Sequence, residues 1–215
     1  MSTKKSLDFP NEVWIEILSD GELSYFDLKR VRGVSKKFKA FCQIEIRLPT
    51  FDEILFRGNP QAKLAQGSNV KLHPILHEGM SFIGEKYQDF IAVDWENDTD
   101  KEWKIAKLAS AKEFATYPPL QTIVLAKHSR EESTAVGGGG TVKKASGITV
   151  KDLIVGIAAA WRKKATFGGW HDEAPQKMSY CEALCECDHS AWSGWETPKI
   201  SKEGQLVLRP SHYDS

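Results

Sequence analysis

The chain has 215 residues, and its 29 Lys and Arg are balanced by 29 Asp and Glu. That length suffices for one sizeable core or two small ones. The charge balance gives no overall field toward nucleic acid or other polyanions and leaves only a local patch for such a role. No stretch approaches the ~18–20 apolar residues of a membrane span. Met1 to Lys5 is short and polar, with no apolar run behind it that could serve as a signal-peptide core. Cys42 stands alone while Cys181, Cys185 and Cys187 crowd together, which is no secreted disulfide framework. A reducing compartment, cytoplasm or nucleus, is expected.

In chain order, the first helix comes from LDFPNEVWIEILSDGELSYF, Leu7 to Phe26. Pro10 suits a first turn, Val13 and Ile17 lie four apart, as do Trp14 and Leu18, and Ser19-Asp20-Gly21 ends the run. DLKRVRGVSKKFKAFC follows, Asp27 to Cys42. On a helical wheel Leu28, Val31, Val34, Phe38, Phe41 and Cys42 fall within one arc of about 140°. Lys29, Arg30, Arg32, Lys36, Lys37 and Lys39 occupy the other side. Asp27 is the expected N-cap, and Gly33 with Ser35 form a stop and a fresh cap, so two short helices fit as well as one long one. A unit of about forty residues struggles to bury its own apolar surface. Burying a Leu, Val or Phe is worth roughly 1.5–3 kcal/mol, more than an exposed charge contact, so the stripe rather than the cations should drive binding.

LPTFDEILFRGNPQAKLAQGSN, Leu48 to Asn69, reads as a connector. Thr50 and Glu53 stand at capping-box spacing and Gly58-Asn59-Pro60 is a stop, which predicts one short helix. From Val70 onward the pattern mixes helix and strand. FIAVDW (Phe90 to Trp95) and LQTIVLA (Leu120 to Ala126) have the length and β-branched content of buried strands. GITVKDLIVGIAAAWRKK predicts a helix capped by Thr149, with Asp152 near its positive end and Arg162 to Lys164 near its negative end. Val150, Leu153, Ile154, Ile157 and Trp161 form its apolar stripe. HSREESTAVGGGGTVKKASG, His128 to Gly147, is polar, glycine-rich and aperiodic, and is expected to be a mobile loop. GQLVLR, Gly204 to Arg209, supplies a final strand. There is no internal repeat. The expected fold is α+β: an N-terminal unit of three helices at 6–47, a helical connector at 48–69 and a small mixed α+β domain at 70–215.

CEALCECDH offers Cys181, Cys185, Cys187 and His189 to zinc, but the spacing lacks the paired Cys-x2-Cys knuckles of common zinc modules, and buried or idle thiols are the plainer account. His73 and His77 in HPILHE lie four apart without the His-Glu-x-x-His order, and read as a cap and a surface histidine. The glycine run is followed by no Gly-Lys-Ser/Thr, so it is not a phosphate loop. Trp161 belongs to a core. Trp170, Trp192 and Trp195 sit among small and polar residues, where tryptophan anchors recognition, and are the candidate border of a substrate surface. No Ser/His/Asp order, paired acids or nucleotide loop points to catalysis, and no cofactor is expected.

Leu7, Phe9-Pro10, Glu12-Val13, Ile17-Leu18-Ser19, Leu23, Asp27-Leu28, Val31, Val34-Ser35-Lys36, Phe38 and Phe41-Cys42 resemble, in order, the F-box motif. Phe9 stands in place of the usual Leu, Phe38 in place of Trp, and DGELSYF is about two residues longer than the usual link. The resemblance implies docking on a Skp-family adaptor and, through it, on a cullin scaffold of a ubiquitin ligase, with the C-terminal part capturing a protein substrate. Phe9, Pro10, Val13, Ile17, Leu18, Leu28, Val31, Val34 and Phe38 would then be divided between adaptor interface and helical core. LHPIL, FATYPPLQTIVL and GITVKDLIVGI resemble a small domain of unknown function in fungal proteins, which brings no activity with it. The competing reading is a nucleic-acid-binding or scaffold protein that uses the basic face from Lys29 to Lys39; it predicts salt-sensitive binding.

Overall fold

The computed structural model describes residues 9–19, 23–42, 49–76, 91–93, 102–127, 135–136, 139–167, 176–179, 182 and 192–212. The chain folds as two units, Met1–Arg57 and Gly58–Ser215. The first holds helices α1 (Asn11–Ser19), α2 (Tyr25–Val34), α3 (Lys36–Phe41) and α4 (Pro49–Ile54). Among the described residues the second contains short strands and one long helix, so the fold is mixed α+β. No helix among the described residues is long and apolar enough to cross a membrane.

In the second unit the strands in chain order are β1 (Lys71–Leu72), β2 (Ile91–Val93), β3 (Glu102–Lys104), β4 (Thr116–Tyr117), β5 (Thr122–Leu125), β6 (Ala135–Val136) and β7 (Gly140–Lys143). After α5 (Val150–Trp161) come β8 (Lys164–Phe167), β9 (Gln176–Ser179), β10 (Trp192–Trp195), β11 (Lys199–Ile200), β12 (Leu206–Leu208) and β13 (Pro210–His212). The central sheet has the order β11-β12-β5-β7. β12 runs parallel to β5, with Leu206 opposite Ile123, while β7 runs antiparallel to β5, with Val142 opposite Ile123. The remaining strands form a three-stranded sheet β6-β8-β9 and three two-stranded ladders.

The core follows from two periodicities. Ile123 and Leu125 of β5 and Leu206 and Leu208 of β12 point to one buried face, two residues apart along each strand. Over that face lies the stripe of α5: Val150, Leu153, Ile154, Ile157 and Trp161 are all buried, with Ala158 and Ala160. The start of α5 is fixed by a capping box. Asp152 N–H donates to Thr149 Oγ1 at 3.2 Å and Thr149 N–H donates to Asp152 Oδ2 at 2.9 Å. Lys144 Nζ donates to the same carboxylate at 2.6 Å.

The segment taken as a mobile loop contains β6 and all of β7, which pairs with β5 over Gly140 to Lys143. β7 is a sheet edge with Thr141 and Lys143 exposed and Val142 half-buried, an alternation of only four residues that does not stand out beside the glycine run. Gly139 serves close packing: a Cβ there would stand 2.6 Å from Lys127 Cγ. The boundary between the two units falls at Arg57/Gly58, inside the stretch 48–69. Residues beyond it are stitched into the second unit, where Gln61 N–H donates to Pro119 O at 2.8 Å, Leu64 N–H donates to Gly204 O at 2.8 Å, and Leu64 is buried. His73, fully buried, caps the short turn Pro74–Leu76, and Leu76 N–H donates to its carbonyl at 2.8 Å. Its Nδ1 accepts from Ile75 N–H at 3.3 Å, which makes Nε2 the protonated nitrogen that donates to Glu113 Oε2 at 3.3 Å.

Two outcomes check this packing. Gly147 has φ +91°, and a Cβ on it would run into the Phe114 ring and come within 2.8 Å of Pro60 Cγ. Gly147→Ala should therefore cost about 2–5 kcal/mol in urea unfolding, the sum of backbone strain and overpacking. Asp152 is partly buried, which raises its pKa, but the bonds from Lys144 and Thr149 outweigh burial and hold it below the ordinary 3.8. A depressed carboxylate stabilises the fold above its unfolded pKa and ceases to as pH falls through the folded one. The stability gap between the wild type and Asp152→Ala, measured at several pH values, should be widest near neutrality and should narrow below pH 3.8.

Candidate protein-docking site

The N-terminal unit is assembled by caps. Ser24 is the N-cap of α2: Asp27 N–H donates to Ser24 Oγ at 3.2 Å, and Ser24 N–H donates to Asp27 Oδ2 at 3.1 Å. Asp27, expected as the cap itself, is the reciprocal partner three residues on, because Tyr25 and Phe26 extend the helix upstream of the charged pattern. The Ser24 hydroxyl, then its backbone, hold the Asp27 carboxyl below the ordinary carboxylate range.

The break inside the basic segment falls at Ser35. Its backbone is extended, φ −158° and ψ 164°, so it closes α2 and opens α3. Ser35 Oγ accepts from Phe38 N–H at 3.1 Å and Ser35 O accepts from Lys39 N–H at 2.9 Å. Gly33, expected as the stop, lies within α2.

α4 starts at Pro49, with Thr50 inside it rather than capping it. At its end Arg57 N–H donates to Asp52 O at 2.8 Å and Phe56 N–H to Glu53 O at 3.3 Å, with Phe56 at φ 53°. This is a Schellman end with phenylalanine where glycine is usual, at a cost of about 1 kcal/mol. Burial of the Phe56 ring, which meets Tyr25 edge-on at 6.3 Å, offsets it. Arg57 Nη2 then donates to Cys42 O at 2.6 Å, closing the exposed carbonyl end of α3. Burial pushes the Cys42 thiol up, against the opposing charges of Arg32 and Arg57.

Within this frame the motif residues separate into two roles. Leu18 and Leu28 are buried, Leu28 completely, alongside Tyr25, Phe41, Cys42, Phe51, Leu55 and Phe56. Val13, Val31 and Phe38 are half-buried. Phe9, Pro10, Ile17 and Val34 face solvent, with Ile17 48% and Val34 69% exposed. The exposed end of α1 is held in place by a chain of rings. Phe9 meets Trp14 at 5.5 Å, Trp14 meets Phe38 at 4.9 Å, and Phe38 meets Phe41 at 6.1 Å, all edge-on. Lys37 Nζ donates to Phe9 O at 3.4 Å.

Trp14 was placed only by its spacing to Leu18, yet it links the entry of α1 to α3. Phe26, half-exposed on α2, meets the Tyr25 ring edge-on at 5.2 Å. On the basic face, Lys29 Nζ lies over the Tyr25 ring at 5.0 Å and Arg30 pairs with Asp27 at 3.3 Å. Three of the six cations, Lys37 included, are thus drawn into contacts of their own unit.

Of the candidate tryptophans in the second unit, Trp195 is the one whose side chain is among the described residues. Trp195 is half-buried, packs against the core cluster and donates from Nε1 to Leu76 O at 2.9 Å, which makes it a structural side chain. Trp192 contributes backbone to β10, paired with His212 of β13, while Trp170 lies outside the described residues. Cys181, Cys185, Cys187 and His189 also lie outside them, as does His77. Compared with protein-family models, curated proteins and solved structures, the chain matches none.

The division of roles has a measurable consequence. Leu28→Ala should destabilise the helical unit by about 2–5 kcal/mol, the cost of a cavity at a fully buried site. Val34→Ser, in solvent, should stay within about 0.5 kcal/mol. Thermal unfolding followed by circular dichroism distinguishes the two.

Proposed function

We propose that this chain is the substrate-recognition subunit of a Skp–cullin–F-box type ubiquitin ligase. Its N-terminal unit docks on a Skp-family adaptor that bridges to the cullin scaffold, and its second unit captures a protein substrate. The observation that carries the reading is the split among motif positions: Leu18 and Leu28 close the helical unit, while Phe9, Ile17 and Val34 stay in water. Phe9 is held in place by its ring contact with Trp14, so ordering that side chain costs little on binding. The subunit is non-catalytic, needs no cofactor and works in the cytoplasm or nucleus.

A nucleic-acid role for the Lys29 to Lys39 face has less to draw on, because Lys29, Arg30 and Lys37 are engaged within the unit. Such binding would also weaken steeply with salt, whereas apolar docking would not.

Co-expression of the full chain with a Skp-family adaptor should give a stable 1:1 complex that survives raised salt. Ile17→Asp with Val34→Asp should weaken it by at least about 100-fold, since two apolar contacts of about 1.5 kcal/mol each are replaced by desolvated charges. The melting curve should stay unchanged, because both sites are exposed. Leu28→Asp would be a poor probe, as it unfolds the unit. Folded wild-type protein that fails to co-purify with the adaptor would refute the proposal.

A further inference from the structure

Ser35 does more than cap a helix. It is exposed, its backbone is extended between α2 and α3, and its hydroxyl makes one described contact, to Phe38 N–H. Arg32 stands three residues before it and Arg30 five before, with Lys36 and Lys37 immediately after. From Asp27 to Cys42 the only carboxylate is Asp27 itself, already paired with Arg30. A serine hydroxyl on extended backbone, preceded by guanidinium groups at these two spacings, suits an enzyme groove lined with carboxylates, because arginine pairs with them through two parallel hydrogen bonds.

For such a groove to engage Arg30 and Arg32, the last turn of α2 must open, and it is built to do so. Gly33 lowers the helix propensity of that turn, and a Cβ on it would meet no atom within 4 Å. Val34 is exposed and leaves nothing buried at the helix end. Few buried contacts and a glycine place this turn at the low-stability end of the unit.

We infer that Ser35 is a phosphorylation site for an arginine-directed protein kinase, and that the phosphate releases the neighbouring apolar face from its partner. In the transfer, Ser35 Oγ bonds to the γ-phosphorus of ATP while the bond from that phosphorus to the β,γ-bridging oxygen breaks. ADP leaves, and the hydroxyl proton passes to the carboxylate base of the kinase. The product adds about 1.5–2 negative charges next to Val34, where docking would have to strip them of water. It keeps acceptor oxygens for Phe38 N–H, so the joint between the helices is preserved. The release rests on the docking reading given above; the modification site does not.

The test uses the full chain, Mg-ATP and a purified kinase that is active on a standard Arg-x-Arg-x-x-Ser peptide, with the phosphate mapped by mass spectrometry. One phosphate is expected on Ser35. Ser35→Asn, which keeps a capping side chain but has no hydroxyl, should carry none, and Arg30→Ala with Arg32→Ala should slow incorporation at least tenfold. An unlabelled Ser35 beside a labelled peptide, or undiminished rates in the arginine variant, would overturn the site. The phosphorylated chain should then bind the Skp-family adaptor at least tenfold more weakly than the unmodified one. Equal affinities would overturn the release while leaving docking intact. An unmodified chain that does not bind would overturn docking and release together, with the site still standing on the mass spectrum.

Discussion

The N-terminal unit is built from helices of nine, ten, six and six residues. All are shorter than the ~12–15 residues at which an isolated helix becomes even marginally stable in water. Their stability must come from how they end and what they bury together. Ser24, Ser35 and the Schellman end at Phe56 satisfy the loose backbone groups, and Arg57 on Cys42 O ties the last helix to the third. Leu28 at the centre admits no solvent. With so few turns, only one face of each helix can turn inward, and Phe9, Ile17 and Val34 are what that geometry leaves outside.

The second unit meets the same problem by a different route. It gathers strands of two to four residues onto one amphipathic helix, whose stripe covers the face presented by β5 and β12. The polar side chains it buries are matched: His73 is sandwiched between Ile75 N–H and Glu113, and Thr116 Oγ1 donates to Pro118 O at 2.9 Å. Aromatic side chains that resemble recognition anchors by composition can be absorbed by this arrangement, as Trp195 is.

How much of this the residues announced depends on whether the deciding contacts are local. α5 was legible to the residue at its start, because Thr149 and Asp152 carry the whole signal within four positions. The break at Ser35 was legible for the same reason. β7 was not, since its alternation spans only four residues beside a run of glycines, and fourteen residues, 126–139, separate it from its partner β5. The boundary at Arg57/Gly58 was hidden because Leu64 finds its backbone partner at Gly204, a contact no local pattern encodes. Among the motif positions, spacing gave the right arc but could not rank it: Leu28 and Val34 lie on the same wheel face and end at 0% and 69% exposure. Their difference is set by α3 folding back from Ser35.

The parallel pairing of β12 with β5 bears on the order of events during synthesis. β5 can pair with β7 soon after residue 143 is made, but its other edge waits for residues 206–208. Until then Ile123 and Leu125 have one strand neighbour, and the places of Leu206 and Leu208 in the core stay empty. Contacts this distant in sequence close slowly, and an open strand edge beside apolar side chains invites the wrong partner. The helical unit lies within residues 1–57, so its helices are made before any of these strands. A chain stalled short of Leu206 would therefore carry an already synthesised helical unit beside a sheet whose central strand still has one open edge.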